Sequence, residues 1–346
     1  MKTYHKIFFS NSSNMKEILS ESVDLVVTSP PYPIIELWDE LFAGINPEIQ
    51  KALAAHDGLL VFELMHKELD RVWREVYRVL KKGGIVAINI GDAVRTIGNN
   101  FMLYPNHSRV LNYFLDLGFS SLPVIIWHKP TNAPNKFMGS GMLPPGAYVT
   151  LEHEYILILR KGGKREFNEF QEKMIRQKSS YFWEERNTWF SDQWYMKGMP
   201  QNLDVGTRDR SAAFPFELPY RLINMFSIKY DLILDPFLGT GTTTLAAMTS
   251  GRNSIGFELD AKLEEIIFQR INNIQKLANQ YLAERLRRHE IFVQERLAKG
   301  KPLKHINNVH NFPVITKQEE YLTFDFLRAV YPKENNHFEV IYEEKV

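Results

Sequence analysis

The chain has 346 residues, 44% of them hydrophobic, with a formal charge of +1 and no cysteine. No apolar run is long enough to cross a bilayer and residues 1–6 lack the apolar stretch of a secretory signal, so a cytoplasmic location with no membrane partner is expected. There is no thiolate nucleophile and no cysteine-based zinc site, no histidine pair stands at helical ligand spacing beside an acid, and so no catalytic metal is expected; the near-neutral charge leaves any polyanion to be met by local basic patches.

An apolar strand over residues 23–27 runs into Thr28-Ser29-Pro30-Pro31-Tyr32. The two prolines stop the strand, supply no N–H donors and leave carbonyls free to accept. With the Ser29 hydroxyl and the flat ring of Tyr32, this strand end suits an exocyclic amine on a planar base. Leu69, Val72, Trp73, Val76, Tyr77 and Leu80 then recur at helical spacing as far as Gly83-Gly84, after which residues 85–90 read as a buried strand. A second unit runs through Val110, Leu111, Phe114 and Leu117 to Gly118 and a strand over 124–127. Such alternation predicts an α/β fold with a covered parallel sheet. Residues 131–150, rich in Gly, Pro and Asn, read as a loop, either mobile at the rim of a site or an ordered surface connection. From Lys161 to Arg210 the chain is dense in aromatics and cations, including Tyr181, Phe182, Trp183, Arg186, Trp189, Trp194, Tyr195 and Lys197, without clean periodicity.

The apolar run Leu232-Ile233-Leu234 leads into Asp235-Pro236-Phe237-Leu238-Gly239-Thr240-Gly241-Thr242-Thr243 and then Thr244-Leu245-Ala246-Ala247-Met248, a strand, a glycine turn and a helix. Gly239 and Gly241 allow positive φ and close backbone approach, and the helix offers unpaired N–H groups to polar ligand atoms. No lysine follows Gly241, which disfavours a phosphate-binding loop for ATP. A second strand over 253–258 ends in Glu258, about twenty residues past the turn, where Rossmann-type folds place the carboxylate that binds a cofactor ribose. Residues 261–299 read as a long helix or helical pair with Arg285, Arg287 and Arg288 clustered and Lys299, Lys301 and Lys304 beyond, a solvated face or a phosphate contact. The segment after Pro302 reads as an appendage, and no internal repeat is visible.

In this order the motifs resemble the DNA amino-methyltransferases that use S-adenosylmethionine, in the permuted β-type arrangement whose catalytic motif precedes the cofactor motif. The resemblance covers most of residues 5–270 and includes Phe214-Pro215 with Leu218-Pro219, Gly256-Phe257-Glu258, Val76-Tyr77-Arg78-Val79-Leu80-Lys81-Lys82-Gly83-Gly84, Ile125-Ile126-Trp127-His128-Lys129-Pro130 and Glu152-His153-Glu154-Tyr155-Ile156. It implies a Rossmann-like methyltransferase fold, a mostly parallel twisted sheet with helices on both faces and an inserted target-recognition region. The expected parts are a catalytic half over 1–160, target recognition over 161–210, a cofactor half over 211–270 and a helical C-terminal extension over 271–346.

The same resemblance implies that S-adenosylmethionine is held by Asp235, Pro236, Phe237, Gly239, Gly241, Thr242, Glu258, Phe214 and Pro215, with Ser12 a further contact, and leaves as S-adenosylhomocysteine. It implies double-stranded DNA as substrate and, from the family's common setting, a restriction endonuclease acting on the same site as partner. Ser29, Pro30, Pro31 and Tyr32 are its catalytic residues: on a flipped nucleotide, Ser29 and the Pro30 carbonyl accept the amine hydrogens while Tyr32 stacks on the base. In such proteins Ser-Pro-Pro-Tyr tends to accompany cytosine N4 and Asp-Pro-Pro-Tyr adenine N6, so cytosine N4 is favoured, with adenine N6, an RNA target or a catalytically silent DNA-binding module as alternatives. Methylation at cytosine carbon is not expected, because it needs a thiolate. Two departures stand out: the family often has an acid near Ser12-Ser13, where Asn11 or Ser12 offers substitute hydrogen bonds, and a histidine near Arg210. The tryptophans of 161–210 read equally as base contacts or as a small satellite core.

Overall fold

The computed structural model describes residues 1–129, 138–197 and 214–343, built on one eleven-stranded sheet. In chain order its elements are β1 (Lys2–Phe9), β2 (Val23–Thr28), helix α1 (Gly58–Val79), β3 (Leu80–Ile90), α2 (Asn106–Asp116), β4 (Phe119–Ser121), β5 (Ile125–His128), β6 (His153–Lys161), β7 (Gln193–Tyr195), α3 (Glu217–Phe226), β8 (Leu232–Asp235), α4 (Thr242–Ser250), β9 (Asn253–Glu258), α5 (Ile274–Ala298), β10 (Leu327–Lys333) and β11 (His337–Tyr342). The strand order is β7-β5-β6-β3-β2-β8-β9-β1-β11-β10, with β4 paired to β6. All strands but β6 and β11 run in one direction, so the sheet is mostly parallel, as the alternation of strand and helix predicts.

Every residue of β2 is buried, the pattern of a strand covered on both faces. Alternate side chains divide between two cores. Val26, Ile88 and Leu234 join Leu69, Trp73 and Val76 of α1 and Phe114 of α2 on one face. Leu25, Val27, Ala87 and Ile233 join Leu222 and Ile223 of α3 and Ala246 of α4 on the other. A period of two in the strands therefore meets a period of 3.6 in the helices, and burial on both faces fixes the register.

Two boundaries differ from the sequence reading. Strand β3 begins at Leu80, before the glycine pair, and its pairing with β2 is irregular there. Gly83 takes φ +83°, and a Cβ at that position would lie 2.8 Å from the backbone nitrogen of Arg165, so the glycines admit a neighbouring chain where a break was expected. Beyond Ala298 the expected helical extension keeps, among the described residues, only one 3₁₀ turn, Lys317–Glu319, and β10 and β11 pair antiparallel and add to the free side of β1. Phe338, Val340 and Tyr342 alternate into the core, a strand signal.

The aromatic stretch divides as well. Phe182, Trp189 and Trp194 are buried in the core beneath α3, while Tyr195 is 75% exposed. Arg285, grouped in sequence with Arg287 and Arg288, turns inward and is paired with Glu185 and Tyr220, whereas Arg287 and Arg288 stay outside against Glu284. Phosphate contact is thus closed to Arg285 by burial. Arg210 and residues 198–209 of the target-recognition region lie outside the described residues, as do 131–137 of the expected loop.

Candidate active site

The carboxyl ends of β1, β2, β8 and β9 open onto one cleft of about 190 Å³. Chain direction diverges here: β2 continues outward to β3 on one side, β8 to β9 on the other. Open α/β sheets bind ligands at such a point. Of the residues singled out from sequence, Ser12, Ser29, Pro30, Pro31, Tyr32, Phe214, Pro236, Phe237, Gly239, Thr242 and Glu258 line the cleft. Trp38, Leu41, Phe42 and Ile45 add an apolar wall that the sequence reading did not single out. The two short motifs, some two hundred residues apart in the chain, share one cavity because their strands are neighbours in the sheet.

Asp235, Gly241 and Pro215 do not line it. Asp235 is 2% exposed and works beneath the floor. Its Oδ1 accepts from Thr28 Oγ1 at 2.6 Å and from the Phe237 N–H at 3.0 Å, while Oδ2 accepts from Thr243 Oγ1 at 2.6 Å. One carboxylate thereby ties the end of β2 to the glycine turn and the first turn of α4. Burial pushes its carboxyl up to about 6, against these three hydrogen bonds, which favour the charged form. Gly241, at φ +84°, caps α4, and Pro215 precedes α3, its carbonyl accepting from Leu218 N.

The glycine turn is braced from two sides. Glu258 accepts from Gly239 N at 2.8 Å and from Asp260 N at 2.8 Å, which fixes its carboxylate at the cleft wall. The Arg270 guanidinium donates to the Thr240 carbonyl at 2.6 Å and to Thr242 Oγ1 at 3.3 Å, and burial lowers its pKa. Arg270 was not identified from sequence, where it reads as one more cation on a helix.

At the other end a polar network surrounds Tyr32. Its hydroxyl donates to Glu154 Oε2 at 2.8 Å, accepts from Asn89 Nδ2 at 2.8 Å and lies 3.1 Å from Ser29 Oγ. Asn89 Nδ2 also donates to Glu154 Oε2 at 2.7 Å, and Lys129 Nζ to Glu154 Oε1 at 3.0 Å. Burial first, then the charge of Glu154, holds the Tyr32 phenol well above its ordinary range, so it stays protonated. Asn89, Glu154 and Lys129 come from β3, β6 and the residue after β5. The one sequence signal for them is a polar residue inside or beside an apolar strand run.

The described part of the loop lies near this end. The Lys129 N–H donates to the Glu152 carbonyl at 2.9 Å, closing its neck, and the Tyr148 ring stacks on Phe101 at 4.4 Å. Phe101 belongs to a hairpin, Ala93–Ile97 with Asn100–Tyr104, whose Arg95 grips Asp39 and the Ile34 carbonyl beside the cleft.

Residues 23–269 match the family model described as DNA methylase of the N6/N4 type. The chain belongs to the N6/N4 DNA methylase family. Members of this family are site-specific methyltransferases of DNA amino groups, at cytosine N4 or adenine N6, and S-adenosylmethionine is the methyl donor. The type II methyltransferase M.MthZI of Methanothermobacter thermautotrophicus is 52% identical over 347 residues, covering 99% of this chain and 96% of that protein. M.MjaI of Methanocaldococcus jannaschii is 51% identical over 285 residues, 79% of this chain and 93% of its own length. Among solved structures, a candidate DNA modification methylase of Thermus thermophilus complexed with S-adenosyl-L-methionine superposes with a TM-score of 0.59 at 32% identity, covering 77% of this chain and 94% of that one. The PvuII DNA methyltransferase shares the fold, with a TM-score of 0.55 at 19% identity over 81% of this chain and 93% of its own. The cleft of this N6/N4 DNA methylase suits the donor: aromatic and proline walls, a turn without side chains at Gly239, and an anchored carboxylate at Glu258. No helix among the described residues is long and apolar enough to cross a membrane.

Proposed function

We propose that this methylase transfers its methyl group to the exocyclic N4 amine of cytosine at a specific sequence in duplex DNA. The observation that carries the reading is the juxtaposition of Ser29 and Tyr32 with the glycine turn in one cleft, joined through the Thr28 to Asp235 bond. When bound, S-adenosylmethionine supplies an electrophilic methyl on a sulfonium. Glu258 accepts from ribose hydroxyls, the Gly239 turn gives close backbone approach, and Pro236, Phe237, Phe214 and Ser12 complete that end of the cleft. Asp235 and Gly241 support the turn from behind, and Pro215 sets the approach of Phe214.

A base within a duplex cannot reach this cleft, so the nucleotide is flipped into it. The amine nitrogen is a poor nucleophile because its lone pair is shared with the ring. Ser29 Oγ and the Pro30 carbonyl, by accepting its hydrogens, localise that pair for in-line attack, and Tyr32 packs against the base. Ser29 in place of an aspartate favours cytosine. The exposed Tyr195, stacked on His128 at 4.5 Å at the carboxyl end of β7, together with Lys129 and His153 on the same edge, supports a DNA face on the side of residues 161–210. An endonuclease with the same recognition site is the proposed partner.

The test is to incubate the protein with labelled S-adenosylmethionine and duplex DNA, digest to nucleosides and identify the labelled one by mass. N4-methyldeoxycytidine is expected. N6-methyldeoxyadenosine would move the target to adenine, and no transfer to DNA would overturn the reading.

A further inference from the structure

The bonds around Tyr32 have a direction, because one member can only accept. An ionised carboxylate has no proton to give, so Glu154 Oε2 takes the Tyr32 hydroxyl proton at 2.8 Å and an Asn89 amide proton at 2.7 Å. Asn89 must therefore turn its NH₂ inward, which leaves its buried Oδ1 with no hydrogen-bond partner among the described residues, a cost that the fold bears. The single Tyr32 proton is committed to Glu154, so across the 3.1 Å contact with Ser29 the tyrosine oxygen can only accept. The Ser29 proton points to Tyr32, one lone pair of Ser29 Oγ faces the Asn89 amide at 3.5 Å, and the other is left for the cleft.

We infer that Glu154 is a positioning residue that sets the polarity of the chain Ser29, Tyr32, Glu154, so that Ser29 meets the target amine as an acceptor and not as a donor. This rests on the acceptor role proposed for Ser29. Lys129 makes the arrangement one-sided: its ammonium, 3.0 Å from Glu154 Oε1, admits only an acceptor there. In Glu154→Gln the amide carbonyl must face Lys129 and the NH₂ must face Tyr32. Tyr32 thereby loses its acceptor at residue 154 and, with the Asn89 NH₂ still facing its oxygen, gives its own proton to Ser29 Oγ, so that the Ser29 proton turns toward the amine, whose hydrogens it repels. An isosteric change at a residue that need not touch the base thus reverses the whole row.

The test is single-turnover methyl transfer to duplex DNA by wild type, Glu154→Gln, Tyr32→Phe and the double variant, with cofactor affinity by calorimetry and thermal melts as controls. Glu154→Gln is expected to slow transfer about 10- to 100-fold at unchanged cofactor affinity. In the Tyr32→Phe background, where the row is cut, the same change is expected to cost less than about 3-fold. A loss of the same size in both backgrounds, or no loss in the first, overturns the inference. Ser29→Ala in the parent chain separates the two readings: if it transfers at the wild-type rate the acceptor role of Ser29 fails, and if it is slow while Glu154→Gln is not, only the polarity argument fails.

Discussion

Asp235 lies within the glycine motif, yet its carboxylate points away from the cleft and binds the two motifs to each other. Its folded carboxyl titrates near 6 against an ordinary 3.8, so the folded state holds the proton more tightly. The stabilisation from that proton is complete below about 3.8 and is lost as pH rises through about 6. Asp235→Asn, which cannot titrate, is expected to gain melting temperature relative to wild type as pH is raised from about 4 to about 7; a pH-independent difference between the two would contradict the shift. At Ser29 the expectation is kinetic. Ser29→Ala should bind S-adenosylmethionine as wild type does and lose about 10²–10³-fold in methyl transfer, read by single-turnover assay beside calorimetry. The place of Ser29, Tyr32 and Glu258 in the cleft was legible in the sequence because each lies at or just beyond the end of a strand run. Asn89, Glu154, Lys129 and Arg270 were not, because each acquires meaning only from a partner on another strand or helix, which one line of sequence does not bring near.

At the scale of elements, periodicity found the strands and helices of the core, and it failed where backbone geometry or pairing decides. Gly83 reads as a stop but sits inside β3, since what it accommodates is the backbone of Arg165. The tryptophans near 189 and 194 carry no helical or strand period of their own, because they fill a space under α3 bounded by α5 and the C-terminal segment. Arg285 of α5 is the polar centre of that space: its guanidinium donates to Glu185 and to Tyr220 and lies over the rings of Trp189 and Phe324. Arg285→Met is expected to leave the partly buried Glu185 uncompensated and cost roughly 3–5 kcal/mol, measured by urea unfolding. Replacing Glu185 with Leu as well should recover much of that loss; a double variant no more stable than the single one would show that the pair contributes more than charge compensation.

At the scale of the whole molecule, the site depends on strand order in space and not on position along the chain. Strands β2 and β8 are neighbours although more than two hundred residues separate them, and the candidate site lies where they end. The outer edge of the sheet adds a consequence of its own. Lys2 pairs with Ile341, and the Tyr342 N–H donates to the Met1 carbonyl at 3.2 Å, so the path from residue 1 to residue 342 closes on itself. Geometrically it is close to a ring, and a ring has no first motif. If the two tails were spliced by a short flexible linker and the ring reopened ahead of Phe214, translation would produce the glycine turn before Ser-Pro-Pro-Tyr, with every strand still in its place. Such a rearranged gene product should retain cofactor affinity within about 10-fold by calorimetry, and its failure to fold would mean that synthesis order guides assembly of this sheet.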